Sequence, residues 1–80
     1  MRWALHISAE AITMLHQIPR ELLLGVRQSI QQLAENPIPT GVVADPDEPS
    51  YYQIAAPGDY VITYEIVDER HIIRILTIED

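Results

Sequence analysis

The fold of this chain is decided by the stretch Gly58-Asp59-Tyr60-Val61-Ile62-Thr63-Tyr64-Glu65-Ile66-Val67-Asp68-Glu69, which continues as Arg70-His71-Ile72-Ile73-Arg74-Ile75-Leu76-Thr77-Ile78. Both halves are rich in β-branched and aromatic residues, as strands are. The acidic pair Asp68-Glu69 interrupts this pattern where a hairpin turn would lie. The stretch therefore predicts a β-hairpin with strands over residues 60–67 and 70–78.

A two-residue turn would fix the pairing of this hairpin, with Val67 opposite Arg70 and Thr63 opposite Arg74. One face then packs on the rest of the chain, and its residues are Tyr60, Ile62, Tyr64, Ile66, Ile73 and Ile75. On the other face, Glu65 lies diagonally from Arg74, which predicts an ion pair. That second face is apolar for a surface left in water. We interpret it as a partner-binding face formed by Val61, Val67, Ile72, Leu76 and Ile78.

Upstream of the hairpin, the pattern predicts a strand and two helices. Residues 2–7 alternate like a strand whose inward side chains are Trp3, Leu5 and Ile7. Ser8 is a typical N-cap residue, and the helix after it has an apolar stripe of Ala11, Ile12, Leu15 and Ile18. Pro19 ends this helix and opens a second one, which stops at Asn36-Pro37 and buries Leu23, Val26, Ile30 and Leu33.

A long loop and one more strand connect the second helix to the hairpin. Residues 37–49 include four prolines, a glycine and three acids, which predicts a loop. A strand follows over 51–55, and Ala56-Pro57-Gly58-Asp59 suits a type II turn with positive φ at Gly58. The order βααβββ predicts one α+β domain over residues 1–80, with a helical hairpin packed on one face of a small, mostly antiparallel sheet. Its predicted core includes Trp3, Leu15, Leu23, Val26, Ile30, Ile62 and Ile75.

The 80-residue chain has a net charge of −7, no lysine and no cysteine. Residues 1–36 are balanced, whereas residues 37–80 set two arginines against nine carboxylates. Because nucleic-acid affinity draws on cations that neutralise phosphates, this argues against independent tight binding to RNA or DNA. His6 and His16 lack the ligand spacing of a metal site, so we expect neither a metal nor a cofactor. No apolar run is long enough to span a membrane, and we expect a cytoplasmic protein with no membrane partner.

Several short motifs follow one another along the chain: the Trp3 strand, Ser8-Ala9-Glu10-Ala11, Ile18-Pro19, Asn36-Pro37, Tyr52, Gly58-Asp59-Tyr60 and Tyr64-Glu65-Ile66. In this order they resemble the RelE/ParE toxin superfamily of bacterial type II toxin–antitoxin systems. The resemblance implies a toxin or toxin-like component that binds a cognate antitoxin protein and is neutralised by it.

The superfamily's nucleases cleave mRNA without a metal, and the resemblance implies a cation after each of two tyrosines and at the end of the last strand. Those places here hold Val61 after Tyr60, Gln53 after Tyr52, and the acidic Glu79-Asp80. Attack of a 2′-hydroxyl on phosphate needs cations to stabilise the developing negative charge. We therefore expect nuclease activity to be weak or lost.

Other functions stay open at the level of sequence. A rearranged catalytic site could use Arg74, His71 and Tyr52 in an active, ribosome-dependent mRNA endonuclease, with the ribosome and mRNA as further partners. In the structural alternative, Arg74 forms an ion pair, His71 is a solvated residue at a strand end, and Tyr52 packs at the edge of the core. The chain could instead be a ParE-like inhibitor of a topoisomerase, or a degenerate homologue that associates with itself as a homodimer.

Overall fold

The computed structural model describes residues 2–80, which form two helices and five strands. In chain order these elements are β1 (Ala4–Ile7), α1 (Ala9–Gln17), α2 (Arg20–Glu35), β2 (Val43–Ala44), β3 (Tyr51–Ala56), β4 (Tyr60–Val67) and β5 (Ile72–Glu79). The sheet order is β1-β5-β4-β3-β2, with β1 parallel to β5 and all other neighbours antiparallel. The helices pack on one face, here called the inner face, and the opposite face is the outer face. The predicted α+β architecture is confirmed.

The helices begin and end for local reasons that the sequence indicated. Ser8 caps α1, because its Oγ accepts a hydrogen bond of 3.0 Å from the backbone N–H of Ala11. Pro19 separates the two helices and stands at the N-cap of α2. The buried side of α2 carries Val26, Ile30, Leu33 and Ala34.

The core lies between the helices and the inner face of the sheet. Four of the predicted core residues are buried there, namely Val26, Ile30, Ile62 and Ile75. The other three pack against the core while partly exposed, namely Trp3, Leu15 and Leu23. The predicted stripe of α1 is wrong at Ile12, which is 43% exposed. Ile12 lies about 100° round the helix from the buried Ala11, so it points away from the sheet.

The segment predicted as a loop contributes a strand of its own. Val43 and Ala44 pair with Gln53 and Tyr52, so β2 extends the sheet beyond β3. A two-residue strand gives too little alternation to be read from sequence. Within residues 2–80, no helix is both long and apolar enough to cross a membrane.

The turn of the β4–β5 hairpin is longer than predicted. Val67 pairs with Ile72, not with Arg70, because a turn of 3₁₀ helix over Asp68–Arg70 and the left-handed His71 lie between the strands. The resulting shift is two residues, which leaves every side chain near the turn on its predicted face. Ile73 and Ile75 are therefore buried as predicted.

A β-bulge changes the pairing further along the hairpin. Tyr64 pairs with Ile75 and Thr63 with Thr77, so Leu76 has no partner on β4. One extra residue reverses the alternation of side chains beyond it. Ile78 consequently lies in the core with 0% of its surface exposed. Its predicted place on the partner-binding face is wrong.

Candidate functional site

The outer face of the sheet carries a row of polar side chains across four strands. His6 on β1 pairs with Arg74 on β5, Arg74 with Glu65 on β4, and Glu65 with Tyr51 on β3. Neighbouring strands are about 4.8 Å apart, so these side chains stand next to one another. The row requires β1 to lie beside β5, a pairing that brings together residues distant in sequence.

The centre of this row is an ion pair. Arg74 Nη1 donates to Glu65 Oε1 over 2.7 Å, which confirms the predicted ion pair, although Glu65 lies directly opposite Arg74 and not diagonally from it. The Arg74 side chain is 54% exposed and that of Glu65 20%. Exposed pairs of this kind contribute less than about 1 kcal/mol to stability. More than half of the Arg74 side chain remains open to a ligand.

A shallow pocket lies between this row and the turn of the hairpin. Its volume is about 330 Å³, and it is lined by His6, Glu65, Val67, Arg70, Ile72 and Arg74. We call it the outer pocket. Arg70 projects from the exposed turn and makes no ion pair with any of residues 2–80. The outer pocket thus gathers two arginines and a histidine around one carboxylate.

The other end of the outer face carries none of the cations that the resemblance associates with nuclease activity. Gln53 pairs with Thr63, and its Nε2 donates to the Thr63 Oγ1 over 3.4 Å. Val61 pairs with the acidic Glu79. Gln53, Val61 and Glu79 therefore lie together on this face, and the only charged side chain among the three, that of Glu79, is acidic.

The predicted catalytic residues are not brought to one site. Arg74 lies on the outer face, whereas Tyr52 pairs with the buried Tyr64 and is on the inner face. The rings of Tyr52 and Tyr64 stack with their centroids 5.8 Å apart. The sheet itself therefore separates Tyr52 from Arg74.

His71, the third of these residues, belongs to the turn and not to the outer pocket. Its ring stacks on Trp3 with a centroid distance of 4.0 Å and an interplanar angle of 15°. Its Nε2 is buried without a hydrogen-bond partner among residues 2–80. The predicted solvated strand end is wrong, because the left-handed turn folds the imidazole back onto the indole.

Tyr64 is a hydrogen-bond donor held inside the core. Its hydroxyl donates to the backbone oxygen of Pro37 over 2.7 Å. Burial, and to a smaller extent the neighbouring Tyr52, raises the pKa of Tyr64 to about 12. The phenol is therefore neutral at physiological pH and is a poor general base.

A second and larger cavity lies on the inner side, between the segment that follows α2 and the start of β3. It has a volume of about 520 Å³, and Trp3, Tyr52, Pro37 and Pro49 are among its lining residues. We call it the aromatic pocket. Arg74 is not among its lining residues. No three His, Asp or Glu side chains of residues 2–80 cluster as metal ligands would.

The predicted partner-binding face is only partly continuous. Val67 and Ile72 pair directly and form the apolar side of the outer pocket. Val61 lies at the far end of the outer face, beyond the Glu65–Arg74 ion pair and the paired Thr63 and Thr77. Leu76 lies in the bulge. All four residues are half-buried in the free chain. The apolar set is thus divided into two areas by polar side chains.

Three members of the outer pocket were not predicted as site residues, namely His6, Glu65 and Arg70. The position of His6 depends on the parallel pairing of β1 with β5, for which the local sequence carries no signal. The position of Arg70 depends on the four-residue turn. The predicted ion pair of Glu65 with Arg74 was the local signal that marked this region.

Solved structures with the same fold include three toxin–antitoxin complexes. A RelBE complex from Mycobacterium tuberculosis matches with a TM-score of 0.84 at 21% identity, covering 99% of this chain and 98% of that one. The intact RelBE complex of E. coli matches with a TM-score of 0.84 at 14% identity, covering 98% and 95%. An archaeal RelE–RelB complex from Pyrococcus horikoshii gives 0.82 at 20% identity, covering 99% and 94%. At these identities the likeness shows the fold.

Curated protein sequences contain no match to this chain. The family model of the ParE toxin of the type II toxin–antitoxin system parDE, in contrast, matches residues 5–80, which is nearly the whole sequence. This chain therefore belongs to the ParE toxin family of type II toxin–antitoxin systems, within the RelE/ParE superfamily.

Proposed function

We propose that this toxin-family chain acts by binding proteins, that a cognate antitoxin binds and neutralises it, and that its RNA cleavage is weak or absent. The observation that carries the proposal is the far end of the outer face. Gln53, Val61 and Glu79 lie there together, where the resemblance implies cations. The face offers no cation cluster for a phosphate at that end.

The chemistry of RNA cleavage makes this loss costly. Removing one group that stabilises the developing negative charge typically lowers the rate by about a hundred- to a thousandfold. The residues predicted to form a rearranged catalytic site do not compensate for the missing cations. Arg74 is paired with Glu65, Tyr52 is on the opposite face, and His71 is stacked on Trp3.

Antitoxin binding is supported by the neighbours and by the surface. The three matching structures named above contain a toxin of this fold with its antitoxin. The free chain leaves Val67 and Ile72 half-exposed beside a pocket, and partners commonly cover such apolar surface. A protein partner would remove this surface from water.

Co-expression with the protein encoded beside this gene tests the antitoxin. We expect a stable complex in light scattering and growth arrest only when the toxin is expressed without its partner. A chain that purifies as a free monomer in the presence of that protein would contradict the proposal. A homodimer of the isolated chain would instead favour self-association.

Inhibition of a topoisomerase is the second candidate, because the matching family model is that of ParE. Such inhibition would need no basic nuclease residues. In arrested cells it predicts broken DNA with intact mRNA. Arrest with cleaved mRNA and intact DNA would favour the ribosome-dependent endonuclease.

A further inference from the structure

The outer pocket has more positive than negative side chains, although residues 37–80, which form most of it, are strongly acidic. Residues 37–80 contain two arginines and nine carboxylates. Both of those arginines, Arg70 and Arg74, line this one pocket, and His6 joins them from β1. Glu65 is the only carboxylate among its lining residues. A negatively charged group in the pocket would meet more positive than negative charge.

Both arginines of the pocket keep N–H groups that can bind a ligand. Arg70 is exposed and has no ion pair within residues 2–80, so its guanidinium is available in full. Arg74 uses Nη1 for Glu65, and its other N–H groups remain available. A carboxylate lying over the Arg74–Glu65 pair could thus accept from both guanidinium groups, which bind carboxylates in a bidentate manner.

Two features favour a protein carboxylate over an RNA phosphate. The pocket has an apolar side, formed by Val67 and Ile72, which suits an aliphatic side chain next to the charge. RNA needs a track of cations for successive phosphates. Along the outer face the next positions hold Thr63, Thr77, Val61 and Glu79, and they offer no such track.

We propose that the outer pocket receives an Asp or Glu side chain of the antitoxin, whose neighbouring apolar residue packs on Val67 and Ile72. This inference rests on the antitoxin binding proposed above and specifies where one contact is made. The chain's net charge of −7 attracts a basic partner in general. A carboxylate of such a partner is attracted only to a place where this acidic chain is locally positive, which is the outer pocket. The pocket therefore fixes how the antitoxin aligns along the outer face.

The test measures the dissociation constant of the complex with the adjacent gene's product. Arg70→Glu should weaken binding by about tenfold or more, because it places two carboxylates in contact. Arg20→Glu makes the same change of charge at the start of α2, away from the sheet's outer face, and is the matched control. Arg74→Gln, which keeps a hydrogen-bond donor, should weaken binding less than Arg70→Glu. Melting temperatures of the free variants establish that each one is folded.

A charge reversal on the partner completes the test. Replacing one Asp or Glu of the antitoxin by Arg should restore binding to Arg70→Glu and weaken binding to the wild type. Equal effects of Arg70→Glu and Arg20→Glu would overturn the inference and leave the antitoxin intact as a partner. A wild-type chain that binds no antitoxin would contradict the proposed function as well. A labelled single-stranded RNA that binds the wild type and not Arg70→Glu would assign the pocket to phosphate and overturn the inference.

Discussion

Gly58 and Gly41 both have positive φ, at +81° and +91°, but only one of them is crowded. A Cβ at Gly58 would lie 2.7 Å from Leu22 Cδ1, whereas a Cβ at Gly41 would meet nothing within 4 Å. Gly58 therefore serves two purposes. It allows the turn before β4, and it lets that turn approach the first residues of α2.

These two glycines give a matched pair of substitutions. Gly41→Ala should lower the free energy of unfolding by about 1 kcal/mol through backbone strain alone. Gly58→Ala should cost about 0.5–1.5 kcal/mol more, because Leu22 must leave its rotamer. In a Leu22→Ala background the two costs should become equal, as measured by urea unfolding. A persistent difference would show that Leu22 is not the cause.

The raised pKa of Tyr64 predicts a dependence of stability on alkaline pH. The folded chain holds this phenol neutral up to about pH 12, whereas the unfolded chain ionises it near its ordinary value of 10. The unfolded state therefore loses its proton first, and the free energy of unfolding falls as the pH rises from 10 towards 12. The advantage of the wild type over Tyr64→Phe, measured by urea unfolding, should shrink over this range. A constant difference would contradict the burial of this hydroxyl.

At the level of elements, the bulge in β5 is tied to the start of α1. The backbone N–H of Ser8 donates to Ile75 O over 3.0 Å, and its Oγ donates to Leu76 O over 2.7 Å. The same Oγ accepts from Ala11. One serine thus caps a helix and anchors the irregular part of the central hairpin.

Ser8→Ala should accordingly cost more than the loss of an ordinary cap. We expect the free energy of unfolding to fall by about 1–2 kcal/mol. Thr13→Ala is a suitable control, because the exposed Thr13 hydroxyl donates only to Ala9 O within α1. Equal effects in thermal unfolding would contradict the role given to Ser8.

The bulge also makes opposite predictions for two residues of β5. Ile78→Glu should unfold the chain, since it buries an unpaired charge, whereas Leu76→Glu should leave most of the population folded. Regular alternation would instead place both residues on the same face and give them similar effects. Circular dichroism of the two variants distinguishes these outcomes.

The sequence predicts well those structural features that depend on the local pattern of residues. The alternation of β4, the stripe of α2, the Ser8 cap and the positive φ of Gly58 all depend on residues close together in the chain, and all are confirmed. The misplacement of Ile78 came from a bulge, for which the sequence around Leu76 carries no local signal. The stacking of His71 on Trp3 and the pairing of His6 with Arg74 depend on contacts between the two ends of the chain.

At the level of the whole molecule, a toxin fold is combined with an acidic surface. The helices and the inner face of the sheet supply the core, and the far end of the outer face holds Gln53, Val61 and Glu79 where the resemblance implies cations. Its two remaining arginines are gathered in the outer pocket. This distribution separates stability, which depends on the inner face, from partner binding, which we assign to the outer face.

The most direct test of this account is primer extension on mRNA in a translating extract that receives the purified chain. We predict the same reverse-transcription stops with the chain as with buffer, since the far end of the outer face holds Gln53, Val61 and Glu79 where the resemblance implies the cations of cleavage. An active RelE-type nuclease in a parallel reaction establishes that the extract supports cleavage. New 5′ ends that appear with the wild type and disappear with Arg74→Ala would contradict the account.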